Sequence, residues 1–198
     1  MRLFDDGFEA VRQRIFENQK RLGVIPPDAQ LTPWPSDLLR AWDQHTPEEK
    51  KLLIRQADVY GAFLAYADHE IGRVIRAVEA MNKLDNTIII YISGDNGASA
   101  EGSAMGTWNE ILPFNGINPT VAENMPFYDA WGNDQTYPHY SINWAWTFGT
   151  PYKWTKQISV LLRRHEERHG DLLAGTDQGQ GRHPLAVPPC GRHRSDAA

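Results

Sequence analysis

The chain has 198 residues, 41% of them hydrophobic, with a net charge of −5 and a single cysteine. That length fits one domain with a tail, the apolar content suffices for a core, and the negative charge argues against nucleic acid as the main partner. No apolar run reaches the roughly 18 residues of a membrane span, no signal-peptide core marks the N-terminal end, and Cys190 has no partner for an internal disulfide. The chain as written therefore reads as cytoplasmic, without a membrane.

Phe4 to Leu22 reads as a helix, with Asp5 and Asp6 near its start and Gly23 as its stop. Gly23 to Trp42, carrying Pro26, Pro27, Pro33 and Pro35, is an irregular connector. A second helix begins at Thr46-Pro47-Glu48-Glu49, where Thr46 caps, Pro47 suits the first helical position and Glu49 completes a capping box. Its apolar residues (Leu52, Leu53, Ala57, Tyr60, Leu64, Ala67, Ile71, Val74, Val78 and Met81 among them) recur every three to four positions as far as Asn82 to Leu84. Asp68-His69 lies within it, but adjacent helical residues diverge by about 100° and make a poor chelate, so a polar face is expected there.

Thr87 to Ser93 follows as a strand, rich in β-branched residues and apolar on both faces, hence expected to be covered on both. Helix and strand together make an αβ unit. The strand runs into Gly94-Asp95-Asn96-Gly97, the position at which open α/β sheets present ligands. Asp95 and Asn96 offer hard oxygen atoms suited to a calcium-like ion, although the local pattern alone reads first as an ordinary Asp-Asn-Gly turn. Residues 100–157 then form a long excursion packed by aromatic rings, the kind of insertion that serves as a lid or functional loop. His139 within it reads as structural.

The combination of the 46–82 helix, the strand, Gly94-Asp95-Asn96-Gly97-Ala98-Ser99-Ala100-Glu101-Gly102, Tyr137-Pro138-His139-Tyr140, Trp144-Ala145-Trp146 and Thr150-Pro151-Tyr152-Lys153-Trp154-Thr155-Lys156-Gln157 resembles the bacterial arylsulfatases. The resemblance spans about residues 3–158. It implies the α/β, alkaline-phosphatase-like fold, a sheet sandwiched by helices, of which residues 1–158 would be part. It also implies hydrolysis of small-molecule sulfate esters, one divalent ion (usually calcium) and a formylglycine made from Cys or Ser in a C-x-P-x-R motif. By the same resemblance, Asp95 and Asn96 correspond to the family's downstream metal-ligand pair. A phosphonate or phosphodiester hydrolase of the same superfamily is the alternative parent, and a non-enzymatic remnant, or a module offering its long helix to a partner, the alternative outside enzymes.

Formylglycine chemistry needs an activated nucleophile and cations on the sulfate oxygens. The resemblance places the nucleophile motif, two further acidic ligands and a catalytic histidine upstream of the residues present, so the chain is expected to begin partway through the enzyme, with no catalytic residue of its own and no activity. Cys190-Gly191-Arg192-His193-Arg194 lacks the motif's third residue and stands at the wrong end. Residues 159–198 have the composition of a disordered basic tail. They also fit a shifted reading frame: permitted codons for Leu162 to Gly179, read one base later, give SGGTKNGMVISWPARIK, which resembles the family's next segment. The sulfate-binding lysine of that segment would span Glu166 and Glu167. Sequencing the gene checks this. Codons compatible with the shifted peptide are expected, and codons that cannot encode it end the idea.

Overall fold

A computed structural model describes residues 3–92, 97–153 and 155–156. Helix α1 (Phe8–Arg21) ends in a Schellman motif: Gly23, with φ of 70°, donates to the Lys20 carbonyl and Val24 to that of Gln19. Glycine adopts that backbone region without the strain a side chain brings, and Lys20 and Arg21 face the negative end of the helix dipole. The connector is irregular, as expected. It is tied down by Arg12, whose buried guanidinium donates to the Thr32 carbonyl (2.5 Å) and Thr32 Oγ1 (2.7 Å) and lies 5.3 Å from the Trp146 ring centre. Burial pushes the Arg12 guanidinium down to about 10.

Helix α2 (Pro47–Ala80) starts at the anticipated capping box, with Glu49 N donating to Thr46 Oγ1 at 3.2 Å and Thr46 N to Glu49 Oε2 at 2.7 Å. The same carboxylate accepts from Arg40 at 2.8 Å, and that hydrogen bond holds Glu49 down to about 2. At its far end Asn82 takes a left-handed conformation (φ 55°) and closes the helix in a second Schellman motif, donating to Glu79 O while Lys83 N reaches Val78 O.

The core lies where α1, the first third of α2, and α5 (Ile142–Phe148) meet: Phe8, Val11, Leu53, Ala57 and Trp144. Trp144 is fully buried. Its ring packs edge-on against Phe8 at 4.7 Å and stacks on Phe148 at 5.3 Å, and its indole N–H donates to the Leu53 carbonyl at 2.8 Å. Between α2 and α5 the excursion forms two single-turn helices, α3 (Ile111–Phe114) and α4 (Val121–Asn124), and is indeed packed by rings, Trp108 stacking on Phe127 at 4.0 Å. Buried Asn124 threads it, accepting from Trp108 N and donating to the Gly106 carbonyl.

The strand does not form as expected. Among the described residues there is no β-ladder, only isolated bridges at Thr107–His139 and Asn109–Tyr137. Residues 87–92 run without secondary structure, and Ile88 and Ile92 are 88% and 87% exposed rather than covered on both faces. The physical reason is partnership. A strand exists by hydrogen bonding to a neighbour, and no described segment pairs with this one. The α/β sheet implied by the resemblance is thus not seen in the described residues, which are helices and loops. The tail expected over residues 159–198 lies outside them.

Truncating Trp144→Ala leaves a cavity at the three-helix junction and removes the indole's hydrogen bond to the Leu53 carbonyl. We expect a loss of about 3–5 kcal/mol, read from urea or thermal unfolding.

Candidate functional site

Ser93, Gly94, Asp95 and Asn96 lie outside the described residues, so the geometry of the expected metal pair is not described. What the structure does show is how the chain leaves it. Lys156 N donates to the Ala98 carbonyl at 2.9 Å, tying the start of the next loop to a residue far along the sequence. Ser99 Oγ donates to Glu101 Oε2 at 2.7 Å, and Lys156 Nζ stands 4.0 Å from Glu101 Oε1. That ion pair is partly exposed and worth at most about 1 kcal/mol, so the main-chain bond is the firmer tie.

The loop is clamped again a few residues on. Ile142 N donates to the Ser103 carbonyl at 2.7 Å, and the Gln56 amide of α2 donates to the Met105 carbonyl at 2.7 Å while accepting from Ser141 N at 3.0 Å. Gly102 packs directly under the 139–140 backbone, where an added Cβ would collide with the Tyr140 carbonyl oxygen. Tyr140 is wedged between Tyr60 (4.8 Å) and Phe148 (5.7 Å), and its phenol is raised well above its ordinary value by burial and then by the Tyr60 hydroxyl.

Three separated sequence motifs thus converge: Gly97 to Gly102, His139-Tyr140, and Thr155-Lys156. His139 is buried, exchanges main-chain hydrogen bonds with Thr107 and places its Nδ1 2.9 Å from the Tyr140 carbonyl, in keeping with a structural role. Asp68 and His69 are exposed on α2. Two contributors went unnoticed in the sequence. Gln56 carried a signal, a polar residue at a core-facing position between Leu53 and Tyr60, where burial demands hydrogen-bond partners. The Glu101–Lys156 pair carried none, because nothing local links residues so far apart.

Among the described residues no group of three or more His, Cys, Asp or Glu side chains comes together to hold a metal. Glu101, the acid that follows the Asp-Asn pair most closely, is engaged with Ser99 and Lys156. The described residues therefore do not by themselves fit a calcium ion. Nor do the 198 residues contain a C-x-P-x-R motif to supply formylglycine. No helix among the described residues is long and apolar enough to cross a membrane.

Comparison with known proteins decides the family, because a sulfatase family model matches residues 8–153. The chain belongs to the sulfatase family. It is 32% identical over 153 residues to an uncharacterized sulfatase of Schizosaccharomyces pombe, a match covering 77% of this chain and 26% of that protein. It is 30% identical over 151 residues to an arylsulfatase of Klebsiella aerogenes, covering 75% of this chain and 30% of the relative. This sulfatase chain thus spans less than a third of the length of the curated relatives it matches. No solved structure matches it. The sulfatase match includes the Gly97–Gly102 loop and the His139-Tyr140 segment that clamps it.

Because Gly102 has no room for a methyl group, Gly102→Ala must push the loop off residues 139–140. A loss of about 1–3 kcal/mol is expected in urea unfolding, whereas Gly116→Ala, at an open position with φ of 75°, should show only the backbone cost of its conformation. Equal effects at the two sites would argue against the clamp.

Proposed function

We propose that this region serves a calcium-dependent sulfatase hydrolysing aryl or alkyl sulfate esters, with Asp95 and Asn96 as two of the oxygen ligands of the ion. The observation that carries the reading is the family match over residues 8–153, which includes the Asp-Asn pair. Similarity to a protein named arylsulfatase favours sulfate over phosphate esters as the substrate class. The braced loop behind the pair adds support. A ligand set is useful only if its backbone is held within a fraction of an ångström, and Lys156, Gln56 and Tyr140 fix the loop that follows it.

Both ligands are hard oxygen donors, one anionic and one neutral, a set that suits calcium better than zinc or copper. Two such atoms hold calcium weakly on their own, since the ion takes about 6–8 oxygens. The nucleophile and the sulfate-binding cation that the family's chemistry needs have no counterpart motif in the 198 residues, so the isolated chain is an incomplete catalyst.

Two assays test this. The purified 198-residue chain should release no nitrophenol from p-nitrophenyl sulfate, and measurable turnover would refute its inactivity. Residues 8–153 transplanted in place of the matching stretch of the Klebsiella aerogenes arylsulfatase should support sulfate ester hydrolysis. That activity should fall by orders of magnitude in Asp95→Ala and Asn96→Ala. A chimera that cleaves an aryl phosphodiester but not the aryl sulfate would overturn the substrate class.

A further inference from the structure

His45 stands just before the capping residue of α2, and its side chain is 2% exposed. The ring lies between Phe8 of α1, edge-on at 5.6 Å, and the Trp42 ring at 6.4 Å. Neither of its nitrogens has a hydrogen-bond partner of normal geometry. A buried imidazole ordinarily uses both its N–H and its lone pair. Two idle nitrogens mark a ring held by packing.

The charges around that ring are already committed. Glu49 Oε2 lies 3.5 Å from His45 Nδ1. Both oxygens of this carboxylate accept from Arg40, at 2.8 and 3.1 Å, and Oε2 also accepts from Thr46 N at 2.7 Å. Two cations face the ring: Arg40 from the connector and Lys50 from α2, whose ammonium lies 5.4 Å from the Trp42 ring centre. Helix α1 presents Phe8, its Glu9 being taken up by the Trp42 main-chain N–H at 3.1 Å. Helix α5 carries no titratable side chain. One carboxylate, already paired with Arg40, thus stands against two cations. Burial first, and then Arg40, lower the His45 imidazole below its ordinary value, against the pull of Glu49 and the Arg40 carbonyl.

We propose that His45 is an acid-sensitive latch at the start of α2. Neutral, it fills the space among Phe8, Trp42 and the Arg40–Glu49 pair. Protonated, it puts a charge among aromatic rings and beside two cations, and the junction weakens. The unfolded chain accepts that proton near 6.5, whereas the folded chain resists it. Stability is therefore full above that pH and is lost as pH falls through it. Glu49, held down to about 2, stays ionised across this range. The loss reaches α5, because the Arg40 carbonyl also receives the Asn143 amide at 2.7 Å. The latch and the sulfatase assignment stand on different residues, and one can fail without the other.

Urea unfolding of the full chain at pH 7.5 and 5.5, at fixed ionic strength, tests it. Acidification should raise the unfolding constant through His45 by up to about tenfold, the limit for one proton bound only by the unfolded chain. The chain has seven histidines, so the deciding quantity is the difference between parent and variants. The rise should be smaller by that factor in His45→Gln and His45→Phe, while His69→Gln, at an exposed position, should behave like the parent. An NMR titration of the parent gives a readout that needs no variant to be stable. The His45 ring signal, assigned by its contacts with Phe8 and Trp42, should move only below pH 6.5. An equal rise in parent and His45→Gln overturns the proposal. So does a His45 signal that titrates at or above 6.5, which would make Glu49 its ion-pair partner.

Discussion

The indole of Trp144 holds this structure together. Its ring fills the space where α1, α2 and α5 meet, and its N–H takes the carbonyl of Leu53 at 2.8 Å. A buried indole without a partner for that N–H would cost part of what its large apolar surface contributes. By satisfying it on the backbone of α2, the chain converts a non-directional burial into a fixed register between two helices that are remote in sequence. Asn143 of α5 does the same on the other side, with its amide donating to the Arg40 carbonyl at 2.7 Å. Register on both flanks leaves α5 a single seat.

Everything described around the Gly97–Gly102 loop follows from that seat. With α5 placed, Ser141 falls within reach of Gln56, and Gln56 can bridge Ser141 and Met105. With Ser141 placed, the 139–140 backbone lies over Gly102. The loop after the Asp-Asn pair is thus positioned by a succession of packed and hydrogen-bonded neighbours leading back to the aromatic core. For a sulfatase chain that covers a minority of its relatives' length, this divides the labour plainly: the described residues supply a braced loop, and they gather no metal-binding cluster of their own.

The helices were legible in the sequence because their signals are local. Thr46, Pro47 and Glu49 specify a start whatever lies elsewhere, and Gly23 specifies a stop. The ring-rich excursion was legible as a packed loop for a similar reason, since so many aromatic side chains must find cover. Residues 87–92 show the limit of such reading. Three isoleucines in a row state what environment a segment would prefer, but not whether another strand is there to provide it, and their exposure shows preference and pairing to be separate matters. Asp95 and Asn96 are read as a metal pair through the resemblance, and they lie outside the described residues. Gln56 and the Glu101–Lys156 pair depend on contacts between distant parts of the chain, which no period in the sequence encodes.

Helix α2 has a mechanical consequence as well. Among the described residues its buried side chains, Leu52, Leu53, Gln56 and Ala57, all lie near one end, while about 30 Å of it continues beyond them. A beam held this way magnifies small rotations at its root. A tilt of about 5° at the anchor sweeps the Met81 end through roughly 2.6 Å on that length, more than half the spacing between neighbouring strands in a sheet. Repacking of a single side chain around Ala57 is therefore felt most strongly far from the substitution, at the tip that carries the isoleucine-rich segment.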